Sequence, residues 1–400
     1  MSRLGRLTVL LCALTGACDG MPSRSPAKET AATAPDTIII DGNVPSCATC
    51  TLTVSHIASL GGPSDPEIHR HLPDVIRDSR GYYYAGAHGW SNDLILRYDS
   101  AGRYLGTLGS RGNGPGEYTM SMETFVGPGD SVFVLTWRLD VLVYAPTGTY
   151  ARVFRMSPGK RPLGMIPGTG GAMYAAGDQR PWMVDGRLHA HIINADGSPR
   201  DSFAVFSARS IVPRDPMVGD DGFVWTLTES NYRLERHARD GTPAQLIGVT
   251  SPSFPERPVM SRVEADSLAL QRRPVHTTVT TREQALRRLI ETKKLHGRVD
   301  ANGLAWVTTQ VSAPAWEKQS VMMLRESDEA PMENLLAPDE ESALRNTIVE
   351  VIDTRRGQLL ARTQLPFGAQ LFAPGLLARP TSDANGHLRM EIHRVTLTRR

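Results

Sequence analysis

The side chains of this sequence with the most chemistry to offer are its four cysteines, its eleven histidines, and the tryptophans and arginines in its loops. Cys47 and Cys50 form a Cys-Ala-Thr-Cys motif. A redox dithiol of that spacing stands between a strand and a helix. Here Thr51-Leu52-Thr53-Val54 follows, which reads as a strand, and no His follows Cys50 as covalent haem attachment requires. Two cysteines alone make no zinc site. In an oxidising compartment the pair reads as a disulfide closing a tight loop. His189 and His191 share one strand face, but the corresponding positions elsewhere hold Leu94 and Leu96, or Arg233 and Glu235, so no symmetrical ligand set emerges. His69 and His71 lie in a linker-like stretch and are read as solvated. There is no His-Glu-x-x-His, no Gly-x-Ser-x-Gly and no EF-hand loop. The glycine-rich run 109–116 lacks the Gly-Lys-Ser/Thr ending of a phosphate loop and opens no helix. No catalytic residue, metal ligand set or cofactor is assigned.

Cys18 has a different role. Arg3 and Arg6 precede the apolar run Leu7–Leu14, which is too short to span a bilayer. Small residues then lead to Cys18 through Leu14-Thr15-Gly16-Ala17, the three-part layout of a secretory signal. That ending resembles a bacterial lipobox, with Thr15 where Leu is usual. The expectation is a lipoprotein signal peptide over 1–18, lipid on Cys18, and a cell-envelope location on the periplasmic or outer face of a bacterial membrane. Residues 19–45 are rich in Pro, Ser, Ala, Thr and Asp, with Ile38-Ile39-Ile40 as their apolar cluster, and read as a flexible tether.

The elements that position these groups come from a recurring phrase of turn, Gly or Asp, and a short strand carrying an aromatic. Its copies are anchored at Gly81, Asp130, Gly171, Gly222, Gly303 and Gly386, with Tyr84, Phe133, Tyr174, Trp225 and Trp306 as the aromatics. The first four anchors lie 41 to 51 residues apart. A period of about 40–50 residues holding four short strands predicts an all-β, six-bladed β-propeller over 46–400. The aromatics then fill the layers between blades. The last copy has two strands' worth of sequence after it, so Cys50–Leu60 is expected to close the last blade from the N-terminal side. Insertions fall near 255–295, with two helix-capping signatures at Ser261-Arg262-Val263-Glu264 and Thr280-Thr281-Arg282-Glu283, and near 326–346, with a short helix around Asp339–Arg345.

The Gly81 and Gly102 phrases, and above all Thr107–Tyr118 with its Gly114-Pro115-Gly116-Glu117-Tyr118 end, carry a resemblance to six-bladed propellers of the NHL-repeat type, in particular those on bacterial lipoproteins. The resemblance covers 46–400. It implies the fold but leaves the function open, because binding proteins, enzymes and sensor domains share that scaffold.

In such a ring the loop after the second strand of each blade opens on one rim. Those loops hold His88 and Trp90, Trp137 and Arg138, Gln179, Arg180 and Trp182, Glu229 with Tyr232, and Gln310. Trp and Arg gathered at one opening suit a binding surface. The leading expectation is a lipid-anchored binding or scaffold module for a partner protein, peptide or glycan. The alternative is a propeller enzyme, a lyase, lactonase or hydrolase, with a metal or polar site on the channel axis, for which His88, Asp178 and Glu229 are the partial set. A third is an extracytoplasmic sensor module. With 44 Lys+Arg against 42 Asp+Glu, and Arg3 and Arg6 inside the signal, no basic excess exists to engage nucleic acid. A monomer is expected.

Overall fold

The computed structural model describes residues 36–68, 73–87, 94–138, 140–155, 164–167, 173–176, 187–193, 199–207, 216–218, 224–228, 232–237, 243–250, 294–314, 316, 336, 338–383 and 385–399. Their strands fall into six sheets. The first holds β3 (Pro73–Arg77), β4 (Tyr83–Ala87), β5 (Ile95–Tyr98) and β6 (Tyr104–Leu108). The second holds β7 (Ser121–Val126), β8 (Val132–Thr136), β9 (Asp140–Tyr144) and β10 (Tyr150–Arg155). The third holds β11 (Gly164–Pro167), β12 (Met173–Ala176), β13 (Arg187–Ile193) and β14 (Pro199–Ser207). The fourth holds β15 (Pro216–Val218), β16 (Val224–Thr228), β17 (Arg233–His237) and β18 (Pro243–Thr250). The fifth holds β19 (Lys294–Val299), β20 (Leu304–Ser312), β21 (Arg345–Asp353) and β22 (Gln358–Leu365). The sixth holds β23 (Gln370–Ala373), β24 (Leu376–Ser382) and β25 (Leu388–Arg399), completed by β2 (Cys50–Leu60).

The first strands of successive sheets are neighbours all the way round, and β23 of the sixth sheet meets β3 of the first. Apolar residues fill layers between consecutive sheets. Tyr84, Ile95 and Leu108 of the first sheet meet Val132, Val134 and Leu142 of the second. Trp306, Val349 and Val351 of the fifth meet Leu371, Leu377 and Val395 of the sixth. The first, second, fifth and sixth sheets are apolar on both faces, because each face meets a neighbouring sheet.

The recurring phrase has a direct physical meaning here. Asp78, Asp99, Asp300 and Asp383 each open a tight turn in which Gly three residues on donates its N–H back to the Asp carbonyl, at 2.9–3.0 Å. Those glycines, 81, 102, 303 and 386, have φ between 76 and 92°, a region that Gly enters without steric cost. The Asp Oδ1 accepts further backbone N–H groups of its own turn, such as Leu304 at 3.0 Å and His387 at 3.0 Å. The aromatic six residues on from the Asp reaches back to its other oxygen. Tyr84 donates its hydroxyl to Asp78 at 3.3 Å, and Trp306 donates Nε1 to Asp300 at 3.2 Å. In the sixth copy, where no aromatic stands, the Arg389 guanidinium lies 3.5 Å from Asp383 instead. Tyr84, Phe133, Trp225 and Trp306 are buried, as core filling requires. Burial, then the Asp78 charge, push the Tyr84 hydroxyl up to about 12.

The ring closes as the sequence predicts. β2 pairs antiparallel with β25 from Cys50 opposite Arg399 to Leu60 opposite Met390. Cys47 and Cys50 are disulfide-bonded, and both sulfur-bearing residues pack against the apolar layer of the fifth and sixth sheets. A loop so short restricts little unfolded-state entropy, so the bond shapes the approach to β2 more than it stabilises the whole.

One expectation is corrected. The tether does not run to residue 45, because Asp36–Asp41 is a strand, β1, paired parallel to β18 from Asp36 opposite Gln245 to Asp41 opposite Thr250. The physical reason lies in Ile38-Ile39-Ile40. Ile40 is buried and Ile38 packs beside it against the layer between the fourth and fifth sheets, so β1 covers what would otherwise be an open edge. The chain then crosses the fifth sheet. Ser46 donates both N–H and hydroxyl to Leu359, and Arg362 holds the carbonyls of Gly42 and Asn43. Residues 36–60 thus form a strap across three sheets. The helix expected near Asp339–Arg345 is α1 (Pro338–Ala343), while both capping signatures of 255–295 and the stretch 317–335 lie outside the described residues. So do residues 1–35, including Cys18.

Candidate functional site

Hairpins of an up-and-down sheet turn alternately at its two ends, so the connections between second and third strands share one end of the ring. At the second sheet that connection is the turn between β8 and β9, and it presents Trp137 and Arg138. Trp137 is 45% exposed. The Arg138 guanidinium lies 5.4 Å from the centre of its ring, an attraction that holds two large side chains together without burying either. The backbone beneath them is tied down: Trp137 donates its N–H to Met120 at 3.4 Å, and Arg155 pairs with Asp140 at 3.4 Å across the base of the turn. These two residues are therefore exposed groups on a fixed hairpin.

Directly beneath, Ser121 and Thr136 stand opposite each other on β7 and β8. Both are buried and neither hydroxyl finds a hydrogen-bond partner among the described residues. Thr136 alternates with Val132 and Val134, whose side chains face the first sheet, so these hydroxyls lie at the rim end of the seam between the first two sheets.

The other rim groups divide. His88, Trp90, Gln179, Arg180, Trp182 and Glu229, with Asp178, lie outside the described residues. Tyr232 and Gln310 are structural, against their expected place on the rim. Tyr232 is fully buried and donates its hydroxyl to Glu350 at 2.5 Å; burial, then the Glu350 charge, raise its pKa well above the ordinary value. Gln310 donates Nε2 to the Ala369 carbonyl at 2.9 Å and is buried too. A loop position read from sequence gives the end of the sheet, not the side to which a side chain turns.

The fifth sheet closes its part of the rim with charges that no motif announces. Its second-to-third connection carries α1, and Glu341 there accepts Lys294 Nζ at 2.6 Å and Arg345 Nε at 2.8 Å. Burial would raise the Glu341 pKa, but the two cations prevail and hold it below the ordinary carboxylate value. Arg345 is buried, so this trio fastens α1 to the sheet.

With first strands in a ring, apolar layers between sheets and a strand borrowed from the N-terminal side, the architecture is decided. The chain is a β-propeller. Two solved structures align with it over most of their length. A protein described as exported, from Bacteroides fragilis, aligns at a TM-score of 0.53 with 9% identity, covering 90% of this chain and 99% of its own. A member of the DUF4221 family from Bacteroides vulgatus aligns at 0.52 with 9% identity, covering 88% and 99%. At such identities the likeness shows the fold alone. Virginiamycin B lyase from Staphylococcus aureus aligns at only 0.43, with 10% identity over 87% of this chain and 100% of its own, and says nothing about chemistry here. No family model and no curated protein matches the sequence. Among the described residues, no three His, Cys, Asp or Glu side chains gather as a metal would need, and no helix is long and apolar enough to cross a membrane.

Proposed function

We propose that this protein is a lipid-anchored, six-bladed propeller of the NHL type in a bacterial cell envelope, and that its rim binds a partner protein, peptide or glycan. The observation that carries the reading is the exposed Trp137–Arg138 pair on its braced hairpin. Trp offers contact area with few rotamers to freeze, and Arg offers a planar fork for carboxylate, phosphate or sugar-acid groups. The lipobox-like ending at Cys18 supports the anchor.

Changing Trp137→Ala together with Arg138→Ala is expected to abolish capture of the envelope partner in a cross-linking pull-down. Its melting temperature should stay within a degree or two of the parent, because surface changes of this kind stay within about 0.5 kcal/mol. Capture that survives in the folded double variant overturns the rim assignment. Separately, Cys18→Ser is expected to move the protein from the membrane to the soluble fraction. An unmodified mature N-terminus at another residue would show the anchor to be wrong while leaving the rim reading intact.

A further inference from the structure

The closing ribbon outruns the sheet that it completes. Pairing of β24 with β25 stops where Leu376 stands opposite Arg394. β25 continues to Arg399, and over that stretch β2 is the strand beside it among the described residues. Val395 turns its N–H away from β2 to donate to Gly375 at 2.8 Å. By the alternation of a strand, Leu397 and Arg399 turn their backbone N–H and C=O the same way, beyond the last residue of β24. An open row of backbone donors and acceptors results, the kind of edge to which another chain can add.

A groove of about 760 Å³ runs beside this edge. Its lining is mostly polar, with Leu304 of the fifth sheet and Leu397 of the sixth as half-buried apolar patches above the buried Trp306 and Val395. Its lip is formed by two turns of the fifth sheet, 300–303 and 353–357, fastened together where Thr354 donates N–H and hydroxyl to the Gly303 carbonyl at 3.1 and 2.7 Å. The carboxylates there are occupied. Asp300 accepts Asn302, Leu304 and Trp306 N–H groups, and Asp353 accepts those of Arg355 and Arg356. Arg356 leans back to 4.0 Å from Asp353. Arg355, lying over Gly303, and Arg399 are exposed and have no ion pair among the described residues. Two guanidiniums without an ion pair among the described residues thus line the groove beside this strand edge.

We propose that this overhanging edge of β25 and its arginine-lipped groove dock an extended, acidic peptide segment of a partner protein, added as a strand in line with β24. The main chain of the segment takes the backbone groups of Leu397 and Arg399. Alternate apolar side chains lie on Leu304 and Leu397, and its carboxylates meet Arg355 and Arg399. The groove lies at the end of the ring opposite the Trp137 hairpin, so this surface is independent of the rim proposal.

The test is a fluorescence-anisotropy titration of the full chain with the labelled acidic heptapeptide DVTVEVE, paired with amide hydrogen exchange. Saturable binding is expected, with new protection at Leu397 and Arg399. Proline at the central valine should abolish binding, because it keeps the charge but removes a ladder donor. Arg355→Gln with Arg399→Gln should weaken binding about tenfold, while Trp137→Ala should leave it unchanged. Both arginines are exposed, so these variants keep the fold, which a melting curve confirms. Absence of saturable binding overturns the proposal. So does equal binding of the proline peptide, which would make the groove a simple anion site, or protection that appears only at the Trp137 hairpin.

Discussion

Deleting residues 1–60 should leave a chain that no longer melts cooperatively as a monomer, whereas deleting residues 1–35 should leave the melting curve where it was. The longer deletion removes β2, whose partner β25 then exposes a ladder running from Met390 to Arg399. It also strips Leu60 and Ala58 from the layer between the sixth and first sheets, and Leu52 and Val54 from the layer against the fifth. Each large apolar side chain lost is worth roughly 1.5–3 kcal/mol. Their sum approaches the 5–15 kcal/mol that holds a typical domain together. The exposed edge adds a route to aggregation. Deleting 1–45 separates the two halves of the strap: it takes β1 and the Gly42 and Asn43 carbonyls but leaves β2. That variant should fold, melt several degrees lower, and expose the edge of β18. Circular dichroism melting with size-exclusion chromatography reads all three. Equal melting temperatures for the 1–35 and 1–60 deletions would falsify closure by β2 as the main clasp of the ring.

The clasp was legible in the sequence and the other half of the strap was not, for a physical reason. Cys50–Leu60 alternates over eleven residues, and the sixth repeat visibly lacked an outer strand to which it could belong. Ile38-Ile39-Ile40 is a strand only because β18 offers it a parallel edge some 200 residues further on, and its Pro- and Ser-rich surroundings argue for a tether. The Asp-x-x-Gly turns were readable because the Gly conformation and the Asp acceptor are local. That the aromatic six residues on answers the same Asp could not be read, since the sequence gives spacing and not the direction of an indole N–H. At the rim, Trp137 and Tyr232 looked alike as aromatics in corresponding loops. One is nearly half exposed and the other fully buried, because only the second has a carboxylate from a neighbouring sheet waiting for it. The groove beside β25 was invisible, being assembled from turns and an edge far apart in the chain.

That carboxylate supports the second large effect. Glu350 sits on β21, almost wholly buried, and side chains from two other elements converge on it. Tyr232 of the fourth sheet donates its hydroxyl, and Arg362 of β22 donates Nε at 2.8 Å and Nη2 as well. Arg362 in turn holds the Gly42 and Asn43 carbonyls of the strap. Glu350→Ala takes the carboxylate away from a buried tyrosine hydroxyl and a partly buried guanidinium, and breaking such a pair from one side costs about 3–5 kcal/mol. Tyr232→Phe removes one neutral donor and should cost about 1 kcal/mol. Urea denaturation measures both, and a Glu350→Ala loss below that of Tyr232→Phe would show that the cluster is incidental. The same cluster predicts coupling. If Arg362 works by tying the strap to Glu350, then Arg362→Met should destabilise the full chain more than it destabilises the 1–45 deletion, which has already lost the strap carbonyls. Strict additivity of the two changes would mean that Arg362 serves Glu350 alone and that the strap is held by β1 and the disulfide-flanked approach to β2.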